Sequence, residues 1–202
     1  MARYTGPKTR ISRRYGVALF GPSKALERKN YPPGIHGPKS RRKSSDFSMA
    51  LAEKQKLRLQ YGLMEKQFRL TFERAKKKRG VTGETLLQML ETRIDNVVFR
   101  AGFATTRRGA RQMVSHGHIK VNGRKVSSSS YNIRQGDVIE VKSTPVSRQL
   151  AHRNLETNAI AQAPDWVTVD KENYKATVNR VPSREDIQIN INEQLVVEFY
   201  SR

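Results

Sequence analysis

The stretch Thr105–Val126, TTRRGARQMVSHGHIKVNGRKV, constrains the fold more than any other, because its apolar positions change period part-way along. At about 100° per residue, Arg107, Arg111, Ser115, Arg108 and Gln112 spread over an arc of about 140°. Ala110, Met113 and Val114 fall on the opposite arc. That is one amphipathic helix, with Thr105 or Thr106 as its N-cap. After Gly117 the pattern alternates: Ile119 and Val121 flank Lys120. Asn122-Gly123 then supplies the two positive φ values of a type I′ turn, so a hairpin must follow the helix almost directly. The turn brings Lys120, Arg124 and Lys125 to one end of the ribbon. A further strand, DVIEV, follows RQGD. A helix running into a small antiparallel sheet is predicted, with one basic edge.

Composition says what such an edge faces. The chain has 202 residues, a net charge of +21 and a mean hydropathy of -0.71. Solubility does not require so much charge, and charge of one sign repels itself unless a polyanion neutralises it. A scatter of solubilising lysines does not fit the distribution. Residues 1–80 hold 22 Lys and Arg against 5 Asp and Glu, and residues 151–202 hold 6 against 8. Arginine's planar fork matches phosphate oxygens, so the polar arc of the helix reads as a phosphate and base-edge reader.

Other chemistries find little support. There is no cysteine, which excludes disulfides, thiolate zinc and a cysteine nucleophile. His116 and His118 lack the cysteines or carboxylate pair that would make a metal site, and His36 and His152 are isolated. No metal or cofactor is expected. Asp165, Asp170 and Asp186 align with no base or nucleophile, so no enzyme is expected either. MARYTGPKTR lacks the apolar core of a signal peptide, and no run approaches about 18 apolar residues. Secretion and membrane spanning are not expected, and the cytoplasm is the default.

Residues 1–45 are broken by Gly and Pro and studded with Lys and Arg. They read as an irregular arm without a long helix, one whose composition predicts ordering on its polyanion. Residues 46–79 read as two helices. Met49, Leu57 and Tyr61 share a face of the first, with Glu53 and Lys54 off it. Met64, Phe68, Phe72 and Ala75 mark the second. TGETLLQMLETRIDNVVFRAG reads as one helix with a stripe of Leu86, Leu90, Ile94, Val97 and Ala101, closed by Gly102. Arg93 and Arg100, two turns apart, then share a face, and Asp95 is a local partner for a cation. Residues 164–181 read as two strands that extend the sheet, with Trp166 in the core. EQLVVEFYSR is ambiguous between helix and strand.

ETRIDNVVFRAGFATTRRGARQMVSHGHIKVNG resembles the RNA-binding module named after small-subunit ribosomal protein S-four. The flanking MARYTGPK, EKQKLRLQYG, EKQF, TGETLL and NEQLVVEFYSR are similar to the bacterial S-four ribosomal family, so the resemblance covers nearly the whole chain. It implies an α+β fold. A mostly helical domain comes from the N-terminal region and the extreme C-terminus, with a helix–helix–small antiparallel sheet module inserted. The implied boundaries are 1–45 for the arm, 46–91 with 182–202 for the helical domain, and 92–181 for the module. The resemblance further implies a structural constituent of the small subunit. It would bind the 5′ domain of its ribosomal RNA, nucleate assembly of the subunit's body, contact neighbouring proteins such as S-five, sit near the messenger RNA entry path and influence decoding accuracy.

By position, the resemblance places Arg93, Arg107, Arg111, Gln112, His116, His118, Lys120 and Asn122 in the RNA-facing motif, and Arg3, Lys8, Arg10, Arg13 and Arg14 in the basic arm. Arg41, Arg42, Lys43, Lys56, Arg100, Arg108 and Arg124 complete the candidate RNA-binding set. Two departures stand out. Many relatives hold zinc with N-terminal cysteines that this chain lacks, so its arm must be ordered by packing and RNA. SSSSY stands where relatives often carry a proline-bearing turn. Two rivals fare worse. An RNA-modifying enzyme with the same module needs a catalytic domain that the residues after 150 are too few to form. A nonspecific condenser needs charge but no shaped module.

Overall fold

A computed structural model describes residues 4–38, 45–158 and 163–201. In chain order the elements are α1 (Lys8–Tyr15), α2 (Lys24–Arg28), α3 (Asp46–Gln60), α4 (Glu65–Lys76), α5 (Thr82–Glu91), α6 (Ile94–Arg100), α7 (Arg107–Ser115), β1 (Ile119–Val121), β2 (Arg124–Lys125), β3 (Val138–Val141), α8 (Pro145–Thr157), β4 (Val167–Asp170), β5 (Lys175–Val178) and α9 (Glu193–Ser201). They divide into two units: residues 1–83 with 190–202, and residues 84–189. The fold is α+β. Among the described residues, no helix is long and apolar enough to cross a membrane.

The first unit is helical. Its arm is more regular than the Gly and Pro content suggested, because α1 fits between Pro7 and Gly16. The first N–H groups of a helix have no partner within it, so a preceding proline removes nothing the helix needs. Arg13 ties this helix to the loop that follows α2, donating to the carbonyls of Lys29 and Tyr31 at 3.2 Å and of Pro32 at 3.4 Å. Its guanidinium also stacks over the Tyr31 ring. Ser45 caps α3 by accepting from the Ser48 N–H. Leu57 and Tyr61 are buried as expected, but Met49 is 40% exposed and Lys54 is the buried residue, at 5%. The reason lies in α9, which settles the ambiguous C-terminus as a helix and packs on α3. The Lys54 ammonium reaches Glu65 at 2.8 Å and lies over the Phe199 ring at 4.6 Å. Tyr200 donates to Glu65 at 2.8 Å and stacks on Phe72. Buried Lys54 thus has a carboxylate partner and two aromatic rings, the kind of pairing that burial of a charge demands.

The second unit holds a five-stranded antiparallel sheet in the order β2-β1-β3-β5-β4. Asn122 and Gly123 have φ of 48° and 76°, so the hairpin turns as its sequence requires. Ile119, Val121, Ile139, Val141, Ala176 and Val178 face one core with Ile94, Val97, Phe103, Ala110, Met113, Val114 and Trp166.

The expected single helix over residues 82–102 is broken in two. Arg93 leaves the helix with ψ 137. Tyr131 accepts the Ile94 N–H at 2.8 Å, and Thr92 accepts the Ile133 N–H at 2.8 Å. This bridge between Arg93 and Asn132 takes over backbone groups that a continuous helix would have paired within itself. The SSSSY segment forms the turn that delivers these partners, and the Ser129 carbonyl accepts from Arg93 at 3.1 Å. Helix α8 was not anticipated. Its start is written in Thr144-Pro145, an N-cap followed by proline at the first helical position.

Candidate nucleic-acid interface

Helix α7 carries the polar arc. Thr106 accepts the Gly109 N–H at 3.1 Å, so Gly109 sits in the capped first turn rather than mid-helix. Ala110, Met113 and Val114 are buried, and Gln112 and His116 are exposed. Arg107 and Arg111 are half-buried and orientated from beneath. Arg111 donates through Nε and Nη2 to one Asp95 oxygen, at 3.0 and 2.7 Å. Arg107 donates from Nε to the Asn96 side-chain oxygen at 2.8 Å and stacks over Phe99 at 4.6 Å. Arg108 is half-buried beside them.

Arg93 and Arg100 do not share the face that an unbroken helix would have given them. Arg93 is 5% exposed and grips Asp95 with two bonds, at 3.1 and 2.9 Å. Arg100 grips Glu91 at 3.3 and 3.0 Å. The Asn96 amide donates to the Glu91 carboxylate at 2.6 Å. Asp95 and Glu91 are 3% and 1% exposed. Two buried carboxylates and one amide therefore hold four guanidinium groups.

The hairpin adds a second set. Lys120 lies between Lys125 and Glu140 across the strands, on the face opposite Ile119 and Val121. Arg124 and Lys125 are exposed. Lys125 reaches back across Gly117, where an added Cβ would meet its Cε at 2.2 Å. Asn122 is committed within the fold: its side chain accepts the Val138 N–H and donates to Asp137, both at 2.9 Å. The His118 Nδ1 lies 2.8 Å from the Ser147 hydroxyl, so this ring is tied to the start of α8. Burial, then the charges of His116 and Lys142, push the His118 pKa below its usual value.

In the first unit Lys8, Arg10 and Arg14 are exposed on α1, whereas Arg13 is turned inward. Lys56 pairs with Glu53 at 2.6 Å. Arg3, Arg41, Arg42 and Lys43 lie outside the described residues. Sequence reasoning missed Glu91 and Asn96, which only the folded contacts reveal. It also left Lys125 out of the candidate set and overlooked exposed Arg148 and Arg153 on the unread α8. Among the described residues, no group of three or more His, Asp or Glu could hold a metal.

Two family models match in tandem: Ribosomal protein S4/S9 N-terminal domain over residues 3–91, and S4 domain over residues 92–139. Small ribosomal subunit protein uS4 of Opitutus terrae is 60% identical over 202 residues, covering 100% of both chains. The proteins of the same name from Akkermansia muciniphila and Thermus thermophilus are 55% and 50% identical, again over 100% of each chain. The chain belongs to the uS4 family. The S4 domain match begins at Thr92, where the helix breaks, and ends at Ile139 in β3. It therefore contains α6, α7 and the hairpin, and leaves α8, β4 and β5 outside the matched region.

Proposed function

We propose that this chain binds the 5′ domain of small-subunit ribosomal RNA early in assembly and nucleates the subunit's body. Membership of the uS4 family makes it a structural, non-enzymatic constituent of the small ribosomal subunit that binds ribosomal RNA. The finer reading rests on one observation. On α7, Arg107 and Arg111 are held in fixed orientation beside the exposed Gln112, His116 and hairpin cations. A rigid array of this kind suits a folded RNA junction, where phosphate geometry, 2′-hydroxyls and unpaired bases are accessible and the deep major groove is not. Lys8, Arg10, Arg13, Arg14 and Lys56 of the first unit and Arg93, Arg100, Arg108, His118, Lys120, Asn122 and Arg124 of the second belong to the proposed RNA-binding set. Some act by contact. Others, such as buried Arg93, act by supporting those that do. Contacts with S-five, a position near the messenger RNA entry path, an influence on decoding accuracy and a cytoplasmic setting complete the proposal.

The test is binding to a 5′-domain transcript across a salt series, against scrambled RNA and double-stranded DNA of equal length. Counterion release makes all three weaken as salt rises, and engagement of about six phosphates gives a log–log slope of about -4 to -5. A preference for the transcript that survives moderate salt is expected. Equal affinity for all three at every salt concentration would overturn the reading.

A further inference from the structure

We infer that Asp95 is a positioning residue for RNA binding, acting through Arg111, and that Glu91 plays the same part through Arg100 and, by way of Asn96, through Arg107. The inference rests on the RNA-binding reading and says how that surface keeps its shape.

Four guanidinium groups, of Arg93, Arg100, Arg107 and Arg111, meet two carboxylates and an amide, of Asp95, Glu91 and Asn96. A fold that needed only a core would place apolar side chains here, since burying ion pairs gains little net stability. The bonding has a direction as well. A guanidinium is a rigid plane with five donors, so clamping one edge fixes where the opposite edge points. Asp95 clamps Arg111 by its Nε edge at 3.0 and 2.7 Å, and Glu91 clamps Arg100 the same way at 3.3 and 3.0 Å. Asn96 passes the Glu91 anchor on to Arg107: its amide donates to Glu91 and its oxygen accepts from Arg107. A free arginine loses rotamer freedom when it meets a phosphate, whereas these have lost it on folding.

Charge and position predict opposite outcomes for Asp95→Ala, which removes both acceptor oxygens. Removing a negative charge from a protein that binds a polyanion tightens binding, if charge alone matters. Losing the clamp weakens specific binding. The expected result is an about tenfold loss of affinity for the 5′-domain transcript, equal to about 1.4 kcal/mol. Affinity for scrambled RNA should stay unchanged or rise, so the specificity ratio collapses. Because Asp95 is buried, each variant is first checked for a native Trp166 fluorescence spectrum. Asn96→Ala provides a second route, removing the side-chain oxygen that accepts from Arg107 at constant net charge, and it should lose specificity in the same way. Folded variants that bind the transcript as tightly as the parent would overturn the inference. Failure of the parent itself to prefer the transcript would remove the RNA-binding reading, and this inference with it.

Discussion

Replacing Asn122 by glycine and by alanine separates two contributions at the hairpin tip. Asn122 has φ 48°, in the left-handed region. Its side chain makes two bonds of 2.9 Å, from the Val138 N–H and to Asp137. Both are solvent-exposed, so each is worth about 0.5 kcal/mol, the low end for a hydrogen bond. Glycine keeps the backbone conformation, loses both bonds and adds freedom to the unfolded chain, for a total of about 1.5 kcal/mol. Alanine loses the same bonds and must also hold a left-handed conformation, which costs about 1–2 kcal/mol, for a total of about 2–3 kcal/mol. The assay is urea unfolding followed by tryptophan fluorescence. Trp166 is the single tryptophan and is buried in the core beside this sheet, so the signal reports the second unit. The expected stability order is Asn, then Gly, then Ala. An alanine variant as stable as the glycine variant, or two variants within about 0.3 kcal/mol of the parent, would refute the reasoning.

Tyr200→Phe removes the hydroxyl that Glu65 accepts but keeps the ring on Phe72, and should destabilise the first unit by about 1 kcal/mol in thermal unfolding. The same site gives a pH dependence. Burial pushes the Glu65 carboxyl up, but bonds from Lys54 and Tyr200 and the charges of Lys54 and Arg58 outweigh it and hold the pKa below its usual value. The stability this adds is therefore present above the ordinary carboxylate range and lost as pH falls through the lowered value; a Glu65→Gln variant should show a flatter acid limb. His118 is also shifted down, so the RNA-free second unit should weaken as pH falls below the ordinary histidine range, and His118→Asn should remove that slope from a pH series of urea midpoints. Gly117→Ala should cost about 2 kcal/mol in the Trp166 assay, because φ is 73°, a left-handed conformation, while the Lys125 side-chain end can swing away from the new Cβ. Arg13→Ala should speed protease cleavage between residues 16 and 38 while leaving the second unit intact.

Periodicity made the local elements legible. The amphipathic arc of α7, the Asn122-Gly123 turn and the alternation of β1 each depend on neighbours in sequence, and each stands in the structure where that pattern placed it. What escaped depends on partners far along the chain. The break at Arg93 follows from a bridge to Asn132, some 40 residues on, and no local signal at ETRID carries it. Lys54 looked like a surface cation until α9, some 140 residues later, supplied two aromatic rings. The candidate interface divides in the same way. Which cations line the α7 arc could be read from spacing, but which of them are clamped could not. The guanidinium partners Glu91 and Asn96 lie off any basic motif.

The return of α9 to α3 has a consequence for the order in which a growing chain completes itself. Helix α3 ends at Gln60, and its partner begins at Glu193. At about 5–20 residues per second, synthesis of the intervening stretch takes about 7–27 s. Throughout that interval Lys54 lacks the rings of Phe199 and Tyr200, and Glu65 lacks the Tyr200 hydroxyl. The second unit, built wholly from residues 84–189, has all its own parts before α9 emerges. A chain made from its N-terminus thus finishes its middle first, and its beginning is sealed by its last few residues.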